Sequence, residues 1–306
     1  MVSDSHNVIS VEGLSKKFRS QKAVDELSFH VRRGEIYGFL GPNGAGKTTT
    51  IKAILGLIRF KEGSIAVNGE DIGEQGKLVR EHIGFLPERV SMYRNLTASQ
   101  NLRFFADLKQ VDELDDTKIL AEYGLQDVGK KKVRDFSKGM VQRLGMAQAL
   151  LGDPSILILD EPSGGLDPRG VRLIRTKIRE AKAQGTSVFL SSHILSEVQA
   201  VCDRVGIIHK GRLVAEDSVA ALGKKLDLKP MITVQLEKMT PEIKAAAKGV
   251  SKVSSVNFVG NTIEVVCDAD TKVKVILALV NAGANILNLQ TEEPSLEEVF
   301  MRYTEG

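Results

Sequence analysis

Two short segments of this chain combine residue types that handle phosphate. The first is Gly41-Pro42-Asn43-Gly44-Ala45-Gly46-Lys47-Thr48, which fits the pattern G-x-x-x-x-G-K-[ST]. Glycines let successive backbone N–H groups turn inward around phosphate oxygens. A helix that starts at the end of such a loop adds its own unpaired N–H groups and the positive end of its dipole. The Lys47 ammonium can reach the outer phosphates of a nucleoside triphosphate. The Thr48 hydroxyl, with Thr49 beside it, can ligate Mg²⁺. The second segment is Ile156-Leu157-Ile158-Leu159-Asp160-Glu161, an apolar run that ends in two adjacent acids. At that spacing Asp160 is expected to hold the metal. Glu161 is expected to take a proton from an attacking water, a form of help worth about 10²–10⁴ in rate. Small GTPases, kinases and transport ATPases all use such a loop, so these residues alone leave the purpose of the triphosphate open.

These groups need elements that bring them together. Ile36-Tyr37-Gly38-Phe39-Leu40 reads as a buried strand stopping at Gly41, and apolar residues recur at helical spacing from Thr48 to Ile58. The loop is therefore expected between a strand and a helix. Val8 to Val11, Leu27 to Val31 and Ser64 to Val67 have strand character. The stretch from about Glu88 to Leu151 reads as helices, at 98–108, 118–123 and 138–151. The strand 155–160 is followed by a basic amphipathic helix 171–183 and a strand 186–190 ending at Ser191-Ser192-His193. A helix 196–202 and a strand 205–209 come next, and the pattern breaks between Leu222 and Pro230, with Asp227 inside the break, as a linker would. Beyond it the order strand, helix, strand, strand, helix, strand suggests a ferredoxin-like unit, closed by a tail helix 296–303 expected to dock on it.

At this point the order of motifs resembles the ATP-binding subunits of ABC transporters, over about residues 7 to 220. Phe136-Ser137-Lys138-Gly139-Met140 stands where that family has its signature, usually Leu-Ser-Gly-Gly-Gln. Gly165-Leu166-Asp167 resembles its aspartate loop, and His193 its switch histidine. Phe18 stands where an aromatic residue commonly stacks on adenine. Ile83-Gly84-Phe85-Leu86-Pro87-Glu88 occupies the place of the glutamine loop, with Glu88 for the usual glutamine. Alone, each has a plain reading: Phe18 as core, His193 as a surface residue, Ser137 as a helix cap. Together and in order they identify the family.

The resemblance implies an α/β fold: a P-loop NTPase domain over 7–222, with a mixed sheet, an antiparallel part and a helical subdomain at about 88–150. A small α+β accessory domain follows over 231–306. It also implies a dimer around two ATP-Mg²⁺. Ser137 and Gly139 of one subunit meet the γ-phosphate held by the other, Asp167 lies across the interface, and His193 orients Glu161 and the water. Glu88 takes the place of a metal-contacting glutamine. The C-terminal extension, ending Pro294-Ser295-Leu296-Glu297-Glu298-Val299-Phe300, resembles the accessory domain of the drug, antibiotic and sodium export branch. The expected partners are a separate transmembrane permease subunit and a second copy of this chain or a related ATPase subunit.

Bulk properties agree with this. Apolar residues make up 42% and charged residues 26% of 306, which is ordinary for a globular protein. The net charge of +3 is small, and no nucleic-acid partner is expected. Lys130-Lys131-Lys132 reads as a solvated face. Two cysteines, far apart, argue against a disulfide framework and for a reducing cytoplasm. The start Met1-Val2-Ser3-Asp4-Ser5-His6 lacks the pattern of a signal peptide, and no apolar run approaches the roughly 20 residues of a membrane span. The expected location is therefore the cytoplasmic face of a membrane, through the partner. The alternative is a soluble ABC-type ATPase acting on a ribosome or nucleic-acid complex. The single ATPase domain, the lack of sustained heptads and the near-neutral charge speak against it.

Overall fold

The structure is a computed structural model that describes residues 6–19, 21–226, 228–292 and 295–305. Met1 to Ser5, Asp227 and Pro294 lie outside the described residues. The chain divides into two compact units, at Glu216 and Asp217. In chain order the first unit runs β1 (Asn7–Phe18), β2 (Gln21–Arg32), β3 (Ile36–Leu40), α1 (Lys47–Ile54), β4 (Glu62–Val67), β5 (Glu70–Asp71), α2 (Ile72–Glu81), β6 (Ile83–Leu86), α3 (Ala98–Leu108) and α4 (Asp116–Glu122). It continues with α5 (Lys138–Ala149), β7 (Ile156–Asp160), α6 (Pro168–Ala183), β8 (Ser187–Ser192), α7 (Leu195–Val201), β9 (Arg204–His209) and β10 (Arg212–Asp217).

Two sheets share this unit. One has the order β2-β1-β4-β5, and its pairings are antiparallel. The other has the order β10-β9-β3-β8-β7-β6. In it β3 runs parallel to β8 and β9, and β7 parallel to β6 and β8. Every residue of β3, β7 and β8 is buried, as expected for strands covered on both faces. Phe29 of β2 stacks on Tyr37, Phe39 and Phe189 with ring centroids 5.2–5.7 Å apart, so that one core joins the two sheets. A buried aromatic of this kind is worth about 1.5–3 kcal/mol.

The parallel strands matter most for function. Their carboxyl ends lie on one edge, where open α/β sheets bind ligands. The loop after β3, the acids ending β7 and the histidine after β8 are therefore neighbours. Register sets the details: Leu40 pairs with Ser192, and Asp160 with Ser191.

The second unit contains α8 (Val219–Lys225), β11 (Met231–Leu236), α9 (Pro241–Gly249), β12 (Val253–Val259), β13 (Thr262–Cys267), α10 (Lys272–Asn281), β14 (Ile286–Glu292) and α11 (Leu296–Glu305). Its sheet has the order β12-β13-β11-β14, with antiparallel pairs. Ile232, Val234, Ile263 and Val265 pack against Ile243 of α9 and Val275 and Leu279 of α10. This is the ferredoxin-like order expected from the sequence.

One expectation changes, and some elements stand outside those expected. The stretch after 222 is not simply a linker, because α8 continues to Lys225 and packs on α11 in the second unit. Ser218 caps α8 by accepting a hydrogen bond from the Ala221 N–H at 3.3 Å, and Leu222 is buried. The division accordingly precedes residue 222. Elements α2, β6 and β10 are among those not expected from the sequence. Helix α2 has non-helical backbone angles at Gln75 and glycines at 73 and 76, while β6 is only four residues long.

Candidate functional site

The loop after β3 is shaped by close approaches. A Cβ on Gly41 would lie 2.5 Å from the Ile208 carbonyl oxygen, and one on Gly46 2.5 Å from that of Ala23. Gly46 also has φ +114°, in the region that favours glycine. The Ala45 N–H donates to the Pro42 carbonyl at 3.1 Å, which tightens the turn around Asn43 and Gly44. Helix α1 then begins at Lys47 with no side chain capping it. Its first N–H groups are left to an external acceptor, as an anion site requires.

The acids meet this loop directly. Thr48 Oγ1 donates to Asp160 Oδ2 at 3.0 Å, and Ser191 Oγ donates to Asp160 Oδ1 at 2.6 Å. Lys47 Nζ donates to the Gly41 carbonyl at 2.7 Å and stands 3.3 Å from Glu161 Oε1. The other Glu161 oxygen, Oε2, lies 2.7 Å from His193 Nδ1. Since an ionised carboxylate only accepts, this bond requires the proton on Nδ1. Lys47 and Asp160 are buried, whereas the His193 ring is half exposed.

These groups border a cavity of about 1000 Å³. Asn43, Gly44, Gly46, Lys47, Thr48 and Thr49 form one wall, with Glu161 and His193 beside them. Glu88, just past β6 and exposed, also lines the cavity, as do Arg89 and Arg94. Arg134 and Lys138 are further basic groups in its lining. The donor set fits a triphosphate with a hard cation. It offers free helix N–H groups, one buried ammonium, and a hydroxyl and carboxylate already in contact.

Other expected residues stand elsewhere. Phe18 ends β1, is 49% exposed and does not line the cavity; Lys16 Nζ sits 4.9 Å from its ring centroid. Ser137 caps α5 by accepting from the Met140 N–H at 3.3 Å, and is exposed outside this cavity, as is Asp167. Gly139, half-buried, lies against Leu166. Asp167 caps α6 by accepting from the Gly170 N–H at 2.7 Å. Gly41, Pro42 and Ala45 shape the phosphate loop from behind. The sequence did not single out Ser191, although it sits in the quoted run before His193. A hydroxyl on the strand beside the acidic one was the available signal.

Comparison with known proteins agrees with this geometry. Residues 24–164 match the family model described as ABC transporter, and residues 225–304 match that of the ATP-binding protein DrrA1-3-like, C-terminal domain. The bacitracin transport ATP-binding protein BcrA of Bacillus licheniformis is 38% identical over 301 residues, covering 98% of each chain. The linearmycin resistance ATP-binding protein LnrL of Bacillus subtilis (strain 168) is 32% identical over 305 residues, covering 97% of this chain and 98% of the other. A solved ATP-binding subunit of an ABC transporter superposes with a TM-score of 0.67 at 32% identity, covering 72% of this chain and 94% of that one. The chain belongs to the ABC transporter family, as an ATP-binding and ATP-hydrolysing subunit. No helix among the described residues is long and apolar enough to cross a membrane.

Proposed function

We propose that this chain drives an exporter by closing on a second copy around two ATP molecules, and that Glu161 is its general base. The observation that carries this reading is the cluster of Lys47, Thr48, Asp160, Glu161 and His193 at one edge of the parallel sheet. Backbone N–H groups from Gly44 to Thr49 would hold the phosphates, with Lys47 on the outer ones. Thr48 and Asp160 would hold Mg²⁺, with Glu88 at the rim as a further oxygen donor. When bound, the ion neutralises phosphate charge as the bond to the leaving group breaks. Glu161 takes a proton from the water that attacks the γ-phosphorus, the bond to the bridging oxygen breaks, and ADP and phosphate leave. His193, bonded to Glu161 at 2.7 Å, holds the carboxylate in place.

Dimerisation is supported by the start of α5. Ser137 is exposed and does not line the chain's own cavity, although Lys138 beside it does, and the start of this helix offers N–H groups to an anion. A second subunit's γ-phosphate is the ligand such a site suits, and Asp167 would lie across the same interface. A separate membrane-spanning permease completes the machine on the cytoplasmic face. Export rests on the likeness to the bacitracin and linearmycin proteins over nearly the whole chain.

The decisive variant is Glu161→Gln, expected to retain ATP while losing about 10²–10⁴ in turnover. Unchanged steady-state hydrolysis removes Glu161 from the role of base. Affinity purification from membranes is expected to recover a multi-span protein, and consistent recovery of ribosomes instead would defeat the transport reading.

A further inference from the structure

Glu161 has φ +52°, a left-handed conformation that is costly for a non-glycine residue and persists only where its surroundings hold it. Upstream, the Glu161 N–H donates to the Ser191 carbonyl at 3.1 Å and lies 3.3 Å from Ser191 Oγ. The Gly164 N–H closes the turn onto the Glu161 carbonyl at 3.1 Å. Downstream, the holding group comes from a different element. Gln142 of α5 is 3% exposed, and its Nε2 donates to the Pro162 carbonyl at 3.0 Å. A primary amide buried this deeply is costly unless bonded, and the carbonyl it meets belongs to the residue directly after Glu161. The same face of α5 meets the rest of the loop. Leu166 lies 3.4 Å from where a Gly139 Cβ would stand, and the Lys138 side chain crosses Gly165.

We propose that Gln142 is a positioning residue for Glu161. By fixing the Pro162 carbonyl it anchors the turn that follows Glu161, whose strained backbone aims the carboxylate at the attacking water. This rests on the reading of Glu161 as general base. Because Ser137 caps α5, a displacement of that helix reaches the turn after Glu161 through this hydrogen bond, beside the contacts of Gly139 and Lys138 with the same loop.

The test measures steady-state MgATP hydrolysis and equilibrium ATP binding of the full chain with Gln142→Leu and Gln142→Glu. The leucine fills the space without a donor. It is expected to lower kcat about tenfold or more, as loss of a buried bond implies, with KM and ATP affinity within about twofold. In Gln142→Glu, burial and the facing carbonyl favour the protonated acid, whose O–H restores the donor. Its kcat relative to wild type is therefore expected to rise as pH falls from about 8.5 to 6. The proposal is overturned if Gln142→Leu keeps kcat within about twofold, or if Gln142→Glu shows no rise in relative kcat at low pH. Should the leucine variant not fold, the pH profile of the glutamate variant decides. Full turnover by Glu161→Gln with Gln142 intact would instead strike the base assignment, so the two failures are distinguishable.

Discussion

Replacing Ser191 by alanine probes how the acid pair is held. Asp160 is buried at the end of β7, and its two oxygens have two hydroxyl partners, Ser191 at 2.6 Å and Thr48 at 3.0 Å. Ser191→Ala removes one donor and leaves Oδ1 buried without it. The strand pairing of Asp160 with Ser191 uses backbone atoms and survives, as does the Glu161 N–H bond to the Ser191 carbonyl. A hydrogen bond to a charged group contributes about 1.5–3 kcal/mol. For a domain of this size that corresponds to a fall in melting temperature of roughly 3–12 °C. The assay is thermal and urea unfolding of the nucleotide-free protein, in a double-mutant cycle with Asp160→Ala. A coupling energy of at least about 1 kcal/mol is expected, since the two side chains touch. Additivity within about 0.3–0.5 kcal/mol would refute the claim that Ser191 holds Asp160.

Other outcomes follow from the same structure. Gly46→Ala forces a Cβ to within 2.5 Å of a backbone oxygen at φ +114°, so ATP binding measured by titration calorimetry should be lost or fall by more than about tenfold. Burial pushes the thiols of Cys202 and Cys267 above their ordinary range; Cys267 is buried and Cys202 half-buried. A thiol reagent at pH 7.5 should therefore label neither in the native protein and both after unfolding. Burial pushes the Asp116 carboxyl up, but hydrogen bonds from Arg103 and Ser99 outweigh it and hold it below its usual 3.8. A lowered native value adds stability above the unfolded value and loses it as pH falls through the native one. The advantage of wild type over Asp116→Asn should thus be present at about pH 5 and fade as the pH falls below 3.8. It should stay below about 1 kcal/mol, because Arg103 is largely exposed.

Much of the site was legible in the chain because its chemistry is local. The spacing from Gly41 to Thr48 sets a loop and a helix start in one stretch, and an apolar strand ending in two acids can be read from adjacent residues. Helices α2 and α8 were less legible because glycines weaken their pattern, and Ser218, Leu222 and the packing of α11 stabilise α8 from outside the local sequence.

The sequence by itself determined which groups are present: the glycine loop, Lys47, Thr48, Asp160, Glu161 and His193. Only the tertiary structure decided how they meet, because strand order and register depend on which buried strands pair. The order β3-β8-β7 brings Asp160 to Thr48 and the Glu161 carboxylate to His193. The same packing leaves Phe18 and Ser137 out of the cavity lining, and it joins Gln142 to the loop of Glu161 across twenty positions of sequence. A side chain that bonds only to a backbone carbonyl has no signature in sequence, since any residue offers that carbonyl.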